Sequence, residues 1–428
     1  MQFSNFGRKI TTDPSIVELM DDLGNALAKG DHVAMLGGGN PAAIPEVQSL
    51  FETHMARLLA NRDEFRAAIT NYDPPQGHPA FIQAIVKLLN DQYGWGITPA
   101  NVTITAGSQT GFFTLFNLLA GESTGGTRRI LFPLTPEYIG YADQGITDDM
   151  FVSAKPRIET RGDHGFKYMV DFDHLKITPD IAAICVSRPT NPTGNVITNE
   201  ELQRLSELAD AHDIPLIIDN AYGQPFPGVI TGTAQPIFND NIVLSMSLSK
   251  VGLPSSRVGI FVSSPGIAAA MAKANTVMSL ASPTLGQALA KATIADGSLI
   301  KAARDHIQPH YRRLAEYGQN VLARELDGTP YRVHEYEGAY FFWLWLPNLP
   351  ITSRELYTRL KARGVIVVPG EYFFPGLTDR DWRHQHECLR LNFARPQTEI
   401  DAGVAIIGEE VKRAYSSVTS KKISIKTN

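Results

Sequence analysis

Four stretches of the chain hold side chains that could do chemistry, and each comes directly after an apolar run. After NVTIT comes AGSQTG, where Gly107 and Ser108 turn into a helix. The unpaired N–H groups of a first helical turn, here Ser108 to Thr110, attract anions by direct hydrogen bonding and by the aligned backbone dipoles. After IAAICVS comes RPTNPTGNV, a Pro/Gly turn that presents the amide of Asn191. After PLIID comes NAYG, so Asp219 ends an apolar strand, where a carboxylate needs a cation or hydrogen-bond donors. After IVLSMS come Ser249 and Lys250, with Arg257 seven residues on. An ammonium gains little at a strand tip, but a desolvated amine beside another cation loses its proton more easily and becomes a nucleophile. Taken singly, these are also an N-cap, a loop, an N-cap aspartate and a snorkelling lysine.

Together they suit one cofactor, pyridoxal 5′-phosphate. Its phosphate would take the helix N-terminus with Ser247 and a bidentate Arg257. Asp219 would keep the pyridine nitrogen cationic, so that the ring can accept electrons, and Lys250 would bond to the aldehyde as a Schiff base.

These side chains need a scaffold that brings strand ends together. The runs at 101–105, 129–132, 181–187, 215–219, 242–247 and 258–263 are near-continuously apolar rather than alternating, as in strands covered on both faces. TNEELQRLSELADAHD (198–213) opens on a capping box, Thr198 with Glu201, and carries one apolar stripe. Strand, helix and strand within about 40 residues make a βαβ unit and a mainly parallel sheet, whose carboxyl ends collect functional groups. After residue 285 the texture changes to a long helical pattern (285–325) and a smaller α/β layer, against which the N-terminal 45 residues are expected to pack.

Composition narrows the class. A chain of 428 residues is too long for one core. A net charge of -5 argues against nucleic acid or an anionic membrane as partner. Two cysteines exclude a disulfide framework, no CxxC metal knuckle occurs, and Cys185 in IAAICV reads as a buried small hydrophobe. No run approaches the ~20 apolar residues of a membrane helix, and MQFSNFGRKITTDPS lacks the apolar core of a signal peptide. A cytoplasmic protein is expected.

NPTG, then D-x-A-Y, then S-x-S-K with a following arginine, resembles the fold-type I pyridoxal-phosphate aminotransferases. The resemblance runs over nearly the whole length, through AMLGGGNPAAIPEVQ, NYDPPQG, LFPLTPEYIGYAD, EGAYFFWLWL and VPGEYFFPGL. Within the family it is nearest to enzymes that exchange amino groups between small aliphatic amino acids (valine, alanine, 2-aminobutyrate) and 2-oxo acids (pyruvate, 2-oxoisovalerate). The resemblance implies a large domain with a mainly parallel seven-stranded sheet (46–300) and a smaller α/β domain (1–45 and 301–428). It implies that Lys250 is the imine lysine and proton shuttle, that Asp219 pairs with the pyridine nitrogen, and that Asn191 and Tyr222 bond to the ring's phenolic oxygen. Tyr138 would stack on the ring, and Ser108, Gln109, Ser247 and Arg257 would hold the phosphate. Tyr72 would reach the phosphate of a neighbouring subunit in a homodimer. Arg390, with the Gly39 backbone close by, would clamp the substrate carboxylate.

Two places depart from the family pattern. LPSSR lacks the glycine common before the arginine, and Glu371 stands near the expected substrate mouth, where it could alter side-chain preference. Tyr340, Phe341 and Phe342, or Tyr372, Phe373 and Phe374, could wall an apolar pocket or be ordinary core. Two other readings are weighed: another enzyme on this fold, a β-lyase or decarboxylase, and a cofactor-binding regulator.

Overall fold

The computed structural model describes residues 2–11 and 34–425, with side chains to Ser416. Residues 12–33, which fall in the segment assigned to the smaller domain, lie outside the described residues.

All six apolar runs are strands of one sheet. From one edge, the order is Val102–Ala106, Val258–Val262, Ile242–Ser247, Leu216–Asp219, Ile181–Ser187 and Gly126–Phe132. The last also pairs with Phe151–Ser153, and with Gly121–Ser123 in a hairpin. The sheet thus has eight strands rather than the expected seven, the addition being that three-residue hairpin arm. Only the hairpin arm and Val258–Val262 run antiparallel.

Burial explains the near-continuous apolar runs. Ala183, Cys185, Ile217, Val243 and Phe261 face a cluster with Phe112, Phe116, Phe132 and Tyr141. Their sequence neighbours Ile184, Val186, Ile218, Leu244 and Ile260 face the main core. Alternate residues point to opposite faces, so a sheet covered on both sides favours apolar residues at most positions, with small hydroxyl residues such as Thr103, Thr105 and Ser245 buried among them. Each such apolar side chain contributes about 1.5–3 kcal/mol on burial.

The helix Asn199–Ala211 starts where the capping box places it. Thr198 Oγ1 accepts from Glu201 N at 3.0 Å, and Glu201 Oε2 accepts from Thr198 N at 3.0 Å. The long helical pattern after residue 285 is broken. Thr284–Ala295 ends before Gly297, which takes a left-handed φ of 75°, and Gln308–Glu325 follows a π-helical turn at Ala303–Ile307.

A second sheet has six strands, in the order Val368–Pro369, Cys388–Asn392, Phe341–Trp345, Arg332–His334, Gly165–Met169 and Arg157–Arg161. Its last two strands are a hairpin from the middle of the chain, which nothing in the linear pattern announced. The short strand Ala34–Met35 pairs with Val365–Ile366 and brings Gly37 O to Arg390 and Gly38 O to Asn392.

Candidate active site

The carboxyl ends of the large sheet's strands open into a cavity of about 390 Å³, in the range of small-molecule sites. Nine of the twelve residues expected at the site line it: Ser108, Gln109, Tyr138, Asn191, Asp219, Tyr222, Ser247, Lys250 and Arg257. Gly39 and Arg390 reach it through hydrogen bonds, to Lys250 and Asn191 respectively. Tyr72 lies outside it and is 80% exposed.

Asp219 forms the floor. It stands in register with Ser187 on one neighbouring strand and Ser245 on the other. Its Oδ2 accepts from the Tyr141 hydroxyl at 2.7 Å and its Oδ1 from Ala221 N at 3.0 Å. Burial raises its pKa, against the pull of those two hydrogen bonds and of Lys250.

Lys250 lies in the single 3₁₀ turn Ser249–Val251, which Gly252 closes at φ 108°. Its Nζ donates to the Gly39 carbonyl at 3.0 Å and stands 5.4 Å from the Tyr222 ring centre. The Tyr340 hydroxyl donates to the same carbonyl at 2.8 Å. No carboxylate pairs with Lys250 among the described residues. Burial lowers its pKa to about 8, helped by the charges of Arg390 and Arg257 and opposed by Asp219.

The anion-binding end is built from close backbone approach. The helix Ser108–Leu119 starts at Gly107, where a Cβ would lie 2.2 Å from Arg257 Nη2. A Cβ on Gly259 would lie 2.5 Å from Ser108 N. Both glycines let the guanidinium and the strand press against the helix start. Ser108 Oγ donates to Met246 O at 3.2 Å, Gln109 Nε2 to Gly140 O at 3.3 Å, and Ser247 Oγ accepts from Ser249 N at 3.1 Å. Arg257, at the end of LPSSR, takes a left-handed conformation, φ 50°, unusual for a side-chain-bearing residue.

Across the cavity, Arg390 is 2% exposed. Its Nη1 donates to Asn191 Oδ1 at 2.8 Å and its Nη2 to Gly37 O, while the guanidinium lies 4.5 Å from the Phe341 ring centre. Burial lowers its pKa to about 10. Arg390 Nε and the Tyr222 hydroxyl are buried without a hydrogen-bond partner, so each could serve a bound group.

Glu371 accepts from Arg354 Nε at 2.6 Å and pairs with His386 Nδ1 at 2.8 Å. It does not line the cavity, and neither do the two aromatic triplets. Tyr340, Phe341, Phe342, Phe373 and Phe374 are core, and Tyr372 carries Arg354 over its ring at 4.9 Å. A second cavity of about 240 Å³ also borders Lys250 and is walled by Ala42, Ile44, Val47, Phe51, Ile307 and Tyr311. Sequence reasoning missed Tyr141, Glu137 and Ser187. TPEYIGY held both of the first two, but nothing in its spacing shows that they turn inward.

Comparison with known proteins agrees with the geometry. The pattern of the family "Aminotransferase class I and II" matches residues 53–407. The chain is 48% identical over 417 residues to valine–pyruvate aminotransferase of Escherichia coli K12, covering 97% of this chain and 99% of that protein. The crystal structure of valine-pyruvate aminotransferase AvtA from Salmonella typhimurium LT2 superposes with a TM-score of 0.86 at 48% identity, over 94% of this chain and 99% of that one. Aspartate aminotransferase of Thermus thermophilus with maleate, at 20% identity and a TM-score of 0.79 over 96% of this chain and 100% of that one, shares the fold. Matched over most of its length by the family pattern and by a relative of near half identity, the chain belongs to the class I and II aminotransferases, of fold type I.

Proposed function

We propose that this aminotransferase uses pyridoxal 5′-phosphate to exchange amino groups between small aliphatic amino acids, valine foremost, and pyruvate or a related 2-oxo acid. The observation that carries the reading is Lys250, an amine with a lowered pKa and no carboxylate partner among the described residues, sharing one cavity with the half-buried carboxylate of Asp219. The relatives named above support the substrate pair.

The residues fit the cofactor. The helix start at Ser108, with Ser247 and Arg257, offers an anion cradle, and the unpartnered Tyr222 hydroxyl beside Asn191 offers donors for an oxygen. When bound, pyridoxal phosphate supplies an aldehyde for an amine and a cationic ring that takes up electron density from the substrate's α-carbon. Asp219 would keep the ring nitrogen protonated, and Tyr141 holds that carboxylate in place. Tyr138 covers one wall and Gln109 braces its turn through Gly140 O. Arg390 takes the substrate α-carboxylate, with Nε still unused and the Gly37–Gly39 backbone alongside. Lys250 Nζ, its pKa lowered to about 8 by burial, would take the proton from the substrate α-carbon and deliver it to the carbon derived from the cofactor's aldehyde, and would reverse that transfer in the second half-reaction. We assign the aliphatic side chain to the 240 Å³ cavity bordering Lys250.

We infer further that the enzyme is a cytoplasmic homodimer. Tyr72 (80% exposed), Val277 (89%) and Leu280 (53%) leave apolar surface uncovered, and Asn275 Nδ2 donates to Pro75 O at 3.3 Å, which draws their segments together. A second copy would cover them and bring Tyr72 to its partner's phosphate site. Both cysteines are free and buried, which suits a reducing compartment, and no helix among the described residues is long and apolar enough to cross a membrane.

The test is a donor panel with the cofactor-loaded enzyme. Valine with pyruvate should yield alanine and 2-oxoisovalerate with parallel-line, ping-pong kinetics. Release of ammonia without alanine would overturn the reading.

A further inference from the structure

Glu137 has no part in the scheme above, yet it is 1% exposed and no cation pairs with it among the described residues. Its Oε1 accepts from Ser187 N at 2.8 Å, and its Oε2 from Ser187 Oγ at 2.5 Å and Tyr138 N at 3.3 Å. Its own N donates to Phe373 O at 2.8 Å. One residue therefore meets three parts of the site. Ser187 ends the strand beside Asp219, in register with it, and lines the cavity. Tyr138 opens the turn that continues to Tyr141, the hydrogen-bond donor to Asp219. The Phe373 ring lies 5.2 Å from the Arg390 guanidinium. An unpaired buried carboxyl is costly, and a glutamine could hold Ser187 N by its carbonyl and Ser187 Oγ by its NH₂. Space filling alone does not account for an acid here.

We propose that Glu137 is a positioning residue for transamination: its carboxyl clamps Tyr138 and Ser187 around Asp219, and its charge acts on the Asp219 carboxylate at the neighbouring strand end. The inference rests on the reading that Asp219 serves a bound pyridoxal phosphate. The titratable groups facing Glu137 are Asp219 at the neighbouring strand end, Tyr141 on its own turn and Cys185 on the strand below. Burial raises the Glu137 pKa to about 8, so the carboxyl is largely neutral at pH 7 and gains its charge just above. A negative charge there favours protonation of whatever Asp219 serves, most strongly on the alkaline side.

The experiment compares wild type, Glu137→Gln and Glu137→Ala. The bound cofactor's absorbance is titrated from about pH 6 to 10, a span bracketing the Glu137 transition, and its Kd is read from tryptophan fluorescence. Glu137→Gln keeps the shape and removes the charge, so its spectral midpoint should move down by roughly 0.5–1 pH unit, a three- to tenfold loss of proton affinity. Glu137→Ala also loses the clamp and should bind the cofactor roughly tenfold more weakly. A Glu137→Gln titration that superposes on wild type at every pH overturns the inference, whether or not Glu137→Ala folds. A wild type that takes up no cofactor overturns the functional reading, and this inference with it.

Discussion

Two lysines of this molecule turn inward, Lys167 buried and Lys250 half-buried, and they are wired in opposite ways. Lys167, in the second sheet, is 5% exposed and gives its three donors to Glu337, to Asn195 Oδ1 at 3.0 Å and to Val196 O at 3.1 Å. Lys250 gives one hydrogen bond, to a carbonyl, and otherwise faces aromatic rings and two arginines' fields. An ammonium has three donors to satisfy. At Lys167 all three are met and the group is structural; at Lys250 two are left over and the proton is held loosely. Burial does not make a lysine reactive, but burial without partners does. One loop lies between the two sites. Lys167 grips its back at Asn195 and Val196, while Asn191 faces the cavity.

The contrast breaks or sharpens under substitution. Lys250→Ala should lower turnover by roughly 10³-fold or more, since it removes both the covalent anchor and the proton carrier, yet leave Tm near wild type. Lys167→Met should do the reverse: strand the Glu337 carboxylate, lower stability by about 3–5 kcal/mol, and keep most turnover per folded molecule. Denaturant melts alongside steady-state rates measure both. Equal loss of turnover in the two variants would dissolve the distinction.

Asp219→Asn should lower kcat by roughly 10²–10³-fold, the scale for losing one preorganised electrostatic group, with little change in the amino acid's KM. Arg390→Lys keeps a charge but loses the planar fork, and should raise that KM by roughly 10- to 100-fold while kcat moves less. A kcat effect larger than the KM effect would remove Arg390 from substrate binding.

Two pH effects arise from the sites' buried charges. Only the neutral amine attacks an aldehyde, so cofactor uptake by the apoenzyme should rise about tenfold per pH unit up to about 8, then level off. A limb that continues toward the ordinary lysine range would show Lys250 to be unperturbed. Glu137 shifts in the opposite direction. Its folded pKa is raised from 4.5 to about 8, so its contribution to stability is complete below pH 4.5 and is lost as pH rises through 8. Wild type should therefore lose stability relative to Glu137→Gln across that window, and parallel denaturation curves would contradict it.

Much of the site is legible before folding because a parallel sheet puts the residue after each strand on one rim. Ser108, Asn191, Asp219 and Lys250 each stand at or just past the end of an apolar run, and the cavity gathers them. Glu371 shows where such reading fails. Its neighbours in sequence suggest the substrate mouth, but Arg354 and His386 hold it away from the cavity lining. Which side chain captures a carboxylate depends on residues 15 to 17 positions away, and no local pattern encodes that.

The amino-acid order by itself determined the strand-and-helix alternation, the parallel core and the chemical types waiting at the strand ends. Periodicity and capping are local, and they act through the nearest few residues. Only the tertiary structure decided that the hairpin Arg157–Met169 leaves its neighbours for the second sheet, that Tyr141 turns inward to Asp219, and that Lys250 is left with one partner while Lys167 has three. Those outcomes depend on which distant groups compete for the same buried donors and acceptors, and that competition exists only once the chain has closed around them.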